Sequence, residues 1–458
     1  MTRLLYSVLM WLVQPLLRRK LARRGQQEPG YLEAVEERFA HYRAPAPPPD
    51  GKTVWVHAVS LGETRAATLL VECLRQRWPG LRLLLTHGTA TGRAEGAKLL
   101  QVGDVQTWQP WDTPVLVRRF LDHFKPRIGI LLETEIWPNL ADACAKAGVP
   151  LVLANARLSE HSMRWARRLG WLARPAYRSL AAAWAQTQDD AERLVSLGAP
   201  VQGVFGNLKF DAMPDAQQLR TGRIWRDRVG RPVIMFASSR ALEEAALLRV
   251  LMALPQTEVM CAVQWLIVPR HPQRFDEVAS LVEHNGLAIS RRSRWRDGPP
   301  ADSVEPESMP SIWLGDTLGE MALYYALADV ALLGGSFEAL GGQNLIEAAA
   351  CACPVVMGPH TFNFAEAARL ALAAGAAQRV DNLALAVAAA SALARDKAAL
   401  QAAQQSASAF ALAHQGALAR TLAALEKLLE SGHGSPIHDA DGTDKPPPCA
   451  SPNLPARR

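Results

Sequence analysis

Short apolar runs alternate with longer segments of helical periodicity along most of the chain. In the first half the apolar runs read VWVHAVS, LRLLLTHGTAT, RIGILLETEIW, PLVLANARLS, AAAWAQTQ and VQGVFGNLKFD. The segments between them, such as AATLLVECLRQRW and NLADACAKAG, have the period and length of helices. Repeated alternation of strand and helix predicts an α/β fold, with a parallel sheet covered by helices on both faces.

The alternation pauses once and then resumes, which indicates two domains. The pause is a polar, proline-containing stretch at residues 211–232. Beyond it come PVIMFASS, VQWLIVPRHP, SIWLGDTLGE, VALLGGSF and PVVMGPHTF, and the chain is rich in alanine and leucine from about residue 376 to 429. A chain of 458 residues is long enough for two or three domains. We predict two Rossmann-like domains facing each other across a cleft, at residues 25–212 and 231–429, joined by a linker at 213–230.

The two ends of the chain differ from its body. Residues 4–17 form an apolar run, interrupted by Gln14 and Pro15 and followed by the basic cluster RRKLARR. A membrane-spanning helix needs about 20 residues, and a signal peptide ends in small residues rather than basic ones. We therefore predict that residues 1–24 are a helix that anchors the protein at the anionic cytoplasmic face of the inner membrane, either spanning it or lying on it. The alternative is a terminal helix buried in the protein. Residues 430–458, rich in Pro, Gly, Ser and Asp, are predicted to be disordered.

The distribution of charge and the spacing of the cysteines disfavour some classes of function. The net charge is +6, but residues 1–24 hold six basic residues and no acid, which leaves 44 of the 50 basic residues against 44 acidic ones. The basicity is therefore local, and general nucleic-acid binding is not favoured. The six cysteines are scattered without a CxxC pair or zinc spacing, which indicates a reducing compartment and predicts no metal site.

Polar residues follow the predicted strands of the first half and converge on one edge of its sheet. Glu63 lies between the first strand and the next helix, Glu133 and Glu135 share one face of the ETE segment, and Lys209 follows a later strand. Such residues suit general-base catalysis and the stabilisation of charge. Two structural interpretations stay open. Glu63 can simply favour a helix N-terminus, by about 0.3–1 kcal/mol, and the others can form a salt-bridge network at the bases of loops.

The second half has features of a nucleotide site. In GGSFEALGGQNLIEAAA, glycines precede a helix that begins near Asn344, where free N–H groups attract an anion, and Glu347 is placed to accept hydrogen bonds from a ribose. VPRHPQRF brings Arg270 to a strand end, and ASS offers the hydroxyls of Ser238 and Ser239. GDTLGEM adds another glycine turn. No GxGxxG follows the first strand and no P-loop is present, so dinucleotide redox and NTPase functions are not favoured.

The motifs together resemble those of a known family. HAVSLGET, ETEIWPNL, ANARLS, GNLKFD, VPRHPQRF, GDTLGEM, GGSF, GGQNLIEAAA and MGPHTFNF stand in the same order as in the bacterial 3-deoxy-D-manno-octulosonic acid (Kdo) transferases of lipopolysaccharide synthesis, over roughly residues 25 to 425. The resemblance implies the two-domain GT-B glycosyltransferase fold. It also implies transfer of Kdo from CMP-Kdo to the glucosamine 6′-hydroxyl of a lipid A precursor (lipid IVA), with inversion and without a metal or other cofactor.

The resemblance also implies a set of site residues. Glu63, in the GET motif, corresponds to the proton acceptor, and Glu133 and Lys209 correspond to residues that stabilise the transition state. The implied CMP contacts are Pro269, Arg270, Leu318, Gly319, Glu320, Asn344, Leu345, Ile346 and Glu347. This chain departs from the family at residues 241–244, where it reads ALEE and relatives usually read GEE, which removes the conformational freedom of a glycine.

Two other functions fit the same fold. One is a membrane-associated GT-B enzyme that uses a UDP-sugar, and the other is a protein that binds a nucleotide sugar without catalysis. A comparison of CMP binding with UDP binding distinguishes the UDP-sugar enzyme from a Kdo transferase. An assay of turnover distinguishes the non-catalytic protein from an enzyme. The number of Kdo units added and the oligomeric state are not set by the sequence.

Overall fold

A computed structural model describes residues 2–134, 136–253, 262–300 and 311–431. Within this part the chain forms two compact units. The first contains the chain up to Asp211 together with the stretch from Gln415 onward, and the second runs from Ala212 to His414.

The first unit is built on a sheet of seven parallel strands in the order β3-β2-β1-β4-β5-β6-β7. In register, Val56 of the first strand lies opposite Leu85 on one side and Ile130 on the other. The strands are β1 Thr53–His57, β2 Arg82–His87, β3 Val105–Trp108, β4 Ile128–Leu132, β5 Leu151–Ala156, β6 Ala182–Ala185 and β7 Val201–Val204. The helices are α1 Thr2–Gln27, α2 Leu61–Arg77, α3 Ala90–Gly96, α4 Pro114–Phe124, α5 Pro138–Lys146, α6 Glu160–Arg168, α7 Gly170–Arg178 and α8 Gln188–Leu197.

The second unit is built on another sheet of seven strands, in the order β10-β11-β9-β8-β12-β13-β14. All of its pairings are parallel. The strands are β8 Val233–Ser239, β9 Gln264–Pro269, β10 Ala288–Arg291, β11 Ser311–Leu314, β12 Val330–Leu333, β13 Val355–Met357 and β14 Ala377–Arg379. The helices are α9 Ala216–Arg228, α10 Glu243–Ala253, α11 Phe275–His284, α12 Met321–Leu327, α13 Leu345–Ala350, α14 Ala365–Ala373, α15 Leu383–Arg395 and α16 Lys397–Ala413.

Each sheet is buried on both faces, which explains why its strands read as continuous apolar runs. On one face of the first sheet, Val54 and Val56 pack with Leu70 and Leu74 of α2. On the other face, Trp55 packs edge-on against Phe120 of α4, with ring centroids 5.0 Å apart. The prediction of two parallel-sheet α/β domains is confirmed.

The domain limits differ from the predicted ones at two places. The predicted linker, 213–230, is mostly the helix α9, which packs so closely on α12 that a Cβ on Gly222 would lie 2.5 Å from the Leu323 carbonyl oxygen. The last helix, α17 (Ala417–Ser431), belongs to the first unit rather than to the predicted second domain of 231–429. Its Leu425 and Leu429 join the core beside α2. An apolar stripe along a helix predicts that the helix is buried, but it does not predict which sheet the helix packs against.

The N-terminal helix α1 extends beyond the predicted 1–24 and is attached to the first unit by polar contacts. The Ser7 hydroxyl donates to Oδ1 of Asn139 at 3.0 Å, and Arg18 pairs with Glu36 at 2.7 Å. In the described residues no helix has both the length and the apolar character needed to cross a membrane. The predicted disordered tail, 430–458, lies outside the described residues except for its first two, which end α17.

Candidate active site

Glu63 and Glu133 follow neighbouring strands at the topological switch point of the first sheet. The chain builds β2 and β3 on one side of β1, and β4 to β7 on the other. Open α/β sheets bind ligands at the carboxyl ends of the two strands where the order reverses, which here are β1 and β4. Glu63 comes after β1 and Glu133 directly after β4. The fold therefore places both at the edge where a ligand is expected.

Glu63 and Ser60 cap the N-terminus of α2 through reciprocal hydrogen bonds. Ser60 is the N-cap, and its Oγ accepts a hydrogen bond from the Glu63 backbone N–H at 3.3 Å. The carboxylate accepts in return from the Val59 N–H at 2.7 Å and from the Ser60 hydroxyl at 3.0 Å. The structural interpretation of this glutamate as a helix-terminal residue is therefore correct. The side chain is nevertheless only half-buried.

Glu133 has a strained backbone conformation, and its side chain forms an ion pair. Its φ is +62°, a left-handed conformation that costs a residue with a side chain about 1–2 kcal/mol. The conformation is fixed by hydrogen bonds from its N–H to the Ala154 carbonyl and from the Arg157 N–H to its own carbonyl, both at 3.2 Å. Its Oε1 lies 3.1 Å from Nζ of Lys209. Strain of this kind concentrates at functional sites. Glu135 lies outside the described residues.

Lys209 reaches Glu133 from a short 3₁₀ turn, Leu208–Asp211. Leu208 is buried in the same core as α2, so the turn and the helix that carries Glu63 pack together. Asn155, from the NARLS segment at the end of β5, accepts from the Leu208 N–H at 3.0 Å and thereby positions the turn. Sequence reasoning did not identify Asn155; the only signal was an asparagine at a strand end, where its left-handed φ of +51° is tolerated.

In the second unit the residues predicted to bind CMP lie on three separate loops. Arg270 follows β9, and its N–H donates to the Ser239 carbonyl at 2.9 Å. Residues 318–320 lie between β11 and α12, where Gly319 has a φ of +79° and Glu320 pairs with Arg292 at 2.8 Å. Leu318 in the same loop is 71% exposed. This exposure leaves its side chain accessible to a ligand.

The predicted contacts at α13 are arranged around an N-cap. Oδ1 of Asn344 accepts from the Ile346 N–H at 3.1 Å, and the side chains of Leu345 and Ile346 are buried. Burial raises the pKa of Tyr325, the carboxylate of Glu347 raises it further, and Arg270 lowers it. The charges of Glu347 and Arg270 therefore act on the same tyrosine in opposite directions. The helix is only six residues long, which limits the contribution of its dipole.

The loop at residues 240–242 shows what the departure ALEE does to the backbone. Leu242 has a φ of +76°, which is the conformation that a glycine adopts without strain. Ser239, predicted to offer its hydroxyl to a ligand, donates it instead to the buried Glu244 at 2.8 Å. Leu242 therefore keeps a backbone conformation that favours glycine, at an energetic cost. Of the two hydroxyls predicted to bind a ligand, that of Ser239 is bonded to Glu244 within the protein.

Replacing Leu242 with glycine is expected to raise the free energy of unfolding by about 0.5–1 kcal/mol, because relief of about 1–2 kcal/mol of left-handed strain exceeds the added flexibility of the unfolded chain. The side chain is 72% exposed, so its removal loses little buried area. Urea denaturation measures the effect, with Leu242→Ala as the control that keeps the strain. Equal midpoints for the glycine and alanine variants would contradict the interpretation.

Comparison with known proteins shows which family the chain belongs to. A family model described as 3-deoxy-D-manno-octulosonic-acid transferase (kdotransferase) matches residues 33–212. The 3-deoxy-D-manno-octulosonic acid transferase of Bordetella pertussis is 47% identical over 437 residues, covering 94% of this chain and 100% of the relative. The enzyme of the same name from Haemophilus influenzae is 32% identical over 377 residues, covering 81% of this chain and 85% of the relative.

Among solved structures, the UDP-GlcNAc 2-epimerase of Neisseria meningitidis bound to UDP-GlcNAc matches with a TM-score of 0.51 and 13% identity, over 83% of this chain and 100% of that one. At this identity the likeness concerns the fold alone. The Bordetella relative extends over nearly the whole chain. The chain belongs to the family of 3-deoxy-D-manno-octulosonic acid (Kdo) transferases.

Proposed function

We propose that the protein transfers Kdo from CMP-Kdo to the glucosamine 6′-hydroxyl of a lipid A precursor, lipid IVA, in lipopolysaccharide biosynthesis. The 47% identity to a Kdo transferase over 94% of the chain carries this proposal. The positions of Glu63, Glu133 and Lys209 at the carboxyl edge of the first sheet support it. In the proposed mechanism a single displacement inverts the configuration at the anomeric carbon of Kdo. This displacement needs one base and forms no covalent intermediate with the enzyme.

In this proposal Glu63 is the base. A sugar hydroxyl is a weak nucleophile, so a proton acceptor must take its proton as the new bond forms. The N–H of Val59 and the dipole of α2 both favour the ionised carboxylate. An ionised carboxylate that is half-buried at a switch point is suited to this task, and its hydrogen bonds with the Val59 N–H and the Ser60 hydroxyl fix its orientation.

Glu133 and Lys209 are proposed to stabilise the transition state as a pair. Lys209 carries a positive charge that can stabilise the negative charge of the Kdo carboxylate, and Glu133 holds its ammonium group at 3.1 Å. The strained backbone of Glu133 fixes the carboxylate in turn. Preorganised charges of this kind act without reorganisation during the reaction.

The second unit is proposed to bind the donor through Pro269, Arg270, Leu318, Gly319, Glu320 and residues 344–347. Arg270 would bind the phosphate of the leaving CMP, and Glu347 would accept hydrogen bonds from the ribose hydroxyls. The guanidinium group provides positive charge at the leaving group, so the proposed mechanism uses no metal ion.

The enzyme is further proposed to work at the cytoplasmic face of the inner membrane, held there by α1. A row of large apolar side chains on this helix is exposed to 58–69%: Leu4, Leu5, Trp11, Leu12 and Leu16. Basic residues follow at 18–20 and 23–24, and all of them are exposed. Exposed apolar and basic residues on one helix favour binding to an anionic lipid surface.

Replacing Leu12 and Leu16 together with glutamate is expected to lower the fraction of protein that sediments with anionic vesicles by about tenfold, since two apolar contacts become like-charge repulsions. The matched control is Val102→Glu with Leu412→Glu, two exposed positions outside α1 that add the same charge. If the α1 variant sediments as the wild type does, another surface holds the protein on the membrane.

The reaction itself is tested by incubating the purified protein with CMP-Kdo and lipid IVA and weighing the lipid by mass spectrometry. We expect the lipid to gain the mass of one or more Kdo units, and this mass gives their number. One CMP should be released for each Kdo unit transferred. Turnover with a UDP-sugar instead would support another glycosyltransferase activity. Tight CMP-Kdo binding without any turnover would support a non-catalytic protein.

A further inference from the structure

The second sheet has a switch point of its own, between β8 and β12. The chain places β9, β10 and β11 on one side of β8, and β12 to β14 on the other. Three loops leave the carboxyl ends of the strands there: the β8 loop (240–242), the β9 loop (270–274) and the β12 loop (334–337). A ligand is expected among these loops, as at the corresponding edge of the first sheet.

A buried carboxylate ties the β8 loop to the β12 loop. Glu243 is 1% exposed, and both of its carboxylate oxygens lie 2.8 Å from the Gly335 N–H. The same side chain accepts from the Arg240 N–H at 2.9 Å and from the Phe337 N–H at 3.4 Å. Backbone donors from two loops therefore converge on one carboxylate, and the positions of the loops are fixed relative to each other.

The neighbouring carboxylate ties the β8 loop to the β9 loop. Glu244 is fully buried, and its Oε1 accepts from the Ser239 hydroxyl at 2.8 Å and from Nη1 of Arg274 at 2.7 Å. Two adjacent buried carboxylates are costly to desolvate unless they are well paired. These two are paired with all three loops, so they make this edge of the sheet rigid.

The side chain of Arg240 lies on this rigid base. It is half-buried, and a Cβ built on Gly335 would lie 3.7 Å from its Cγ, so the arginine covers the β12 glycine. Across the described residues its guanidinium forms no ion pair, whereas Arg274 pairs with both Glu244 and Glu277. The carboxylate nearest to Arg240 in sequence, that of Glu243, is occupied by backbone N–H groups.

Positive charge gathers at this point from two loops. Burial lowers the pKa of His271, and Arg240, Arg270 and Arg274 each lower it further. The backbone joins the two loops here, because the Arg270 N–H donates to the Ser239 carbonyl at 2.9 Å, and Arg240 follows Ser239 directly. A guanidinium group without a carboxylate partner, beside a second one, is a recognition element for an anion.

We infer that Arg240 binds an anionic group of the nucleotide-sugar donor beside Arg270, and that Glu243 is the residue that positions it. The inference rests on the proposed function, in which the donor is CMP-Kdo. That donor carries two anionic groups, a phosphate and the carboxylate of its sugar, and a single arginine does not match both. Arg270 and Arg240 together supply one cation for each.

The test measures two quantities in the full-length enzyme: the Kd of CMP by calorimetry, and the KM of CMP-Kdo and of the lipid precursor in the transfer reaction. The variants are Arg240→Gln and Arg240→Lys. The control is Arg249→Gln, an exposed arginine on α10 whose Nε donates to the Ala245 carbonyl at 3.4 Å. Arg240 is partly exposed, so its replacement is not expected to impair folding, and the melting temperature checks this.

We expect Arg240→Gln to raise the KM of CMP-Kdo by about tenfold or more, the equivalent of one charge-assisted hydrogen bond. Arg240→Lys should restore most of the affinity, and the KM of the lipid should not change. A matching rise in the Kd of CMP would identify the phosphate as the bound group. An unchanged Kd of CMP would identify the sugar carboxylate, which CMP lacks.

The inference is overturned if Arg240→Gln leaves both the Kd of CMP and the KM of CMP-Kdo as in Arg249→Gln. It is also overturned if the lysine variant is as weak as the glutamine variant, since positive charge would then not be the cause. A wild-type protein that neither binds CMP nor transfers Kdo would overturn the proposed function as well. An active wild type with an unaffected Arg240→Gln variant would overturn only the role of Arg240.

Discussion

Glu63→Gln is expected to lower the kcat of Kdo transfer by about 10²–10⁴-fold, the range typical of a lost general base, while CMP binding and the fold stay as in the wild type. The amide has the shape of the carboxylate, and its oxygen can still accept from the Val59 N–H, which lies 2.7 Å from the native side chain. What it cannot do is take a proton from the acceptor hydroxyl. The measurements are initial rates with CMP-Kdo and lipid IVA, the Kd of CMP by calorimetry, and the melting temperature.

Ser60→Ala is the matched control, because it separates the two roles of Glu63. It removes the N-cap of α2 and the hydroxyl that donates to the carboxylate at 3.0 Å, but it leaves the base in place. We expect a loss of about 0.5–2 kcal/mol of stability and a rate much closer to the wild type than that of Glu63→Gln. If the serine variant is as slow as the glutamine variant, the carboxylate matters for the helix terminus rather than for proton transfer.

The second large effect is expected at the ion pair between Glu133 and Lys209. Lys209→Met should lower kcat by about 10²–10³-fold, since it removes a preorganised charge from the site. The pair is partly exposed, with 16% and 29% of the two side chains accessible, so the change in stability should stay near 1 kcal/mol or below. Lys98→Met provides the control, because Lys98 forms a surface pair with Glu95 at 2.6 Å and has no proposed role.

A double-mutant cycle shows whether the pair acts as one unit. If Glu133 serves to hold the Lys209 ammonium group, Glu133→Gln combined with Lys209→Met should be no slower than the slower single variant. Effects on ln kcat that simply add would mean that the two residues act independently. A wild-type rate for either single variant would remove that residue from the mechanism.

The two sheets could be predicted from the sequence because their strands are buried on both faces. VWVHAVS and VALLGGSF each consist of an apolar run that ends in polar or glycine residues, and this ending marks the carboxyl edge of the sheet. The position of Glu63 between β1 and α2 followed from the same pattern. The same pattern placed Glu63 at a helix N-terminus, so both the structural and the catalytic interpretation of this residue could be stated in advance.

Other parts of the site depend on which strands are neighbours, and local patterns do not contain this information. The contact between Glu133 and Lys209 joins positions 76 residues apart in the chain. Glu243 and Glu244 begin an alanine- and leucine-rich helix, a pattern typical of a solvated helix end, yet both are buried. Only the order of β9, β8 and β12 reveals that loops surround these two carboxylates.

The return of α17 to the first unit has a consequence for synthesis. Domains fold as units, starting with the N-terminal one, while the ribosome adds about 5–20 residues per second. Among the described residues, the second unit lies entirely between Ala212 and His414, so it can fold as soon as this part of the chain has emerged. The first unit lacks the leucines of α17 that cover part of its core until residue 431 has been added. The half of the enzyme that is translated first is therefore the half that is completed last.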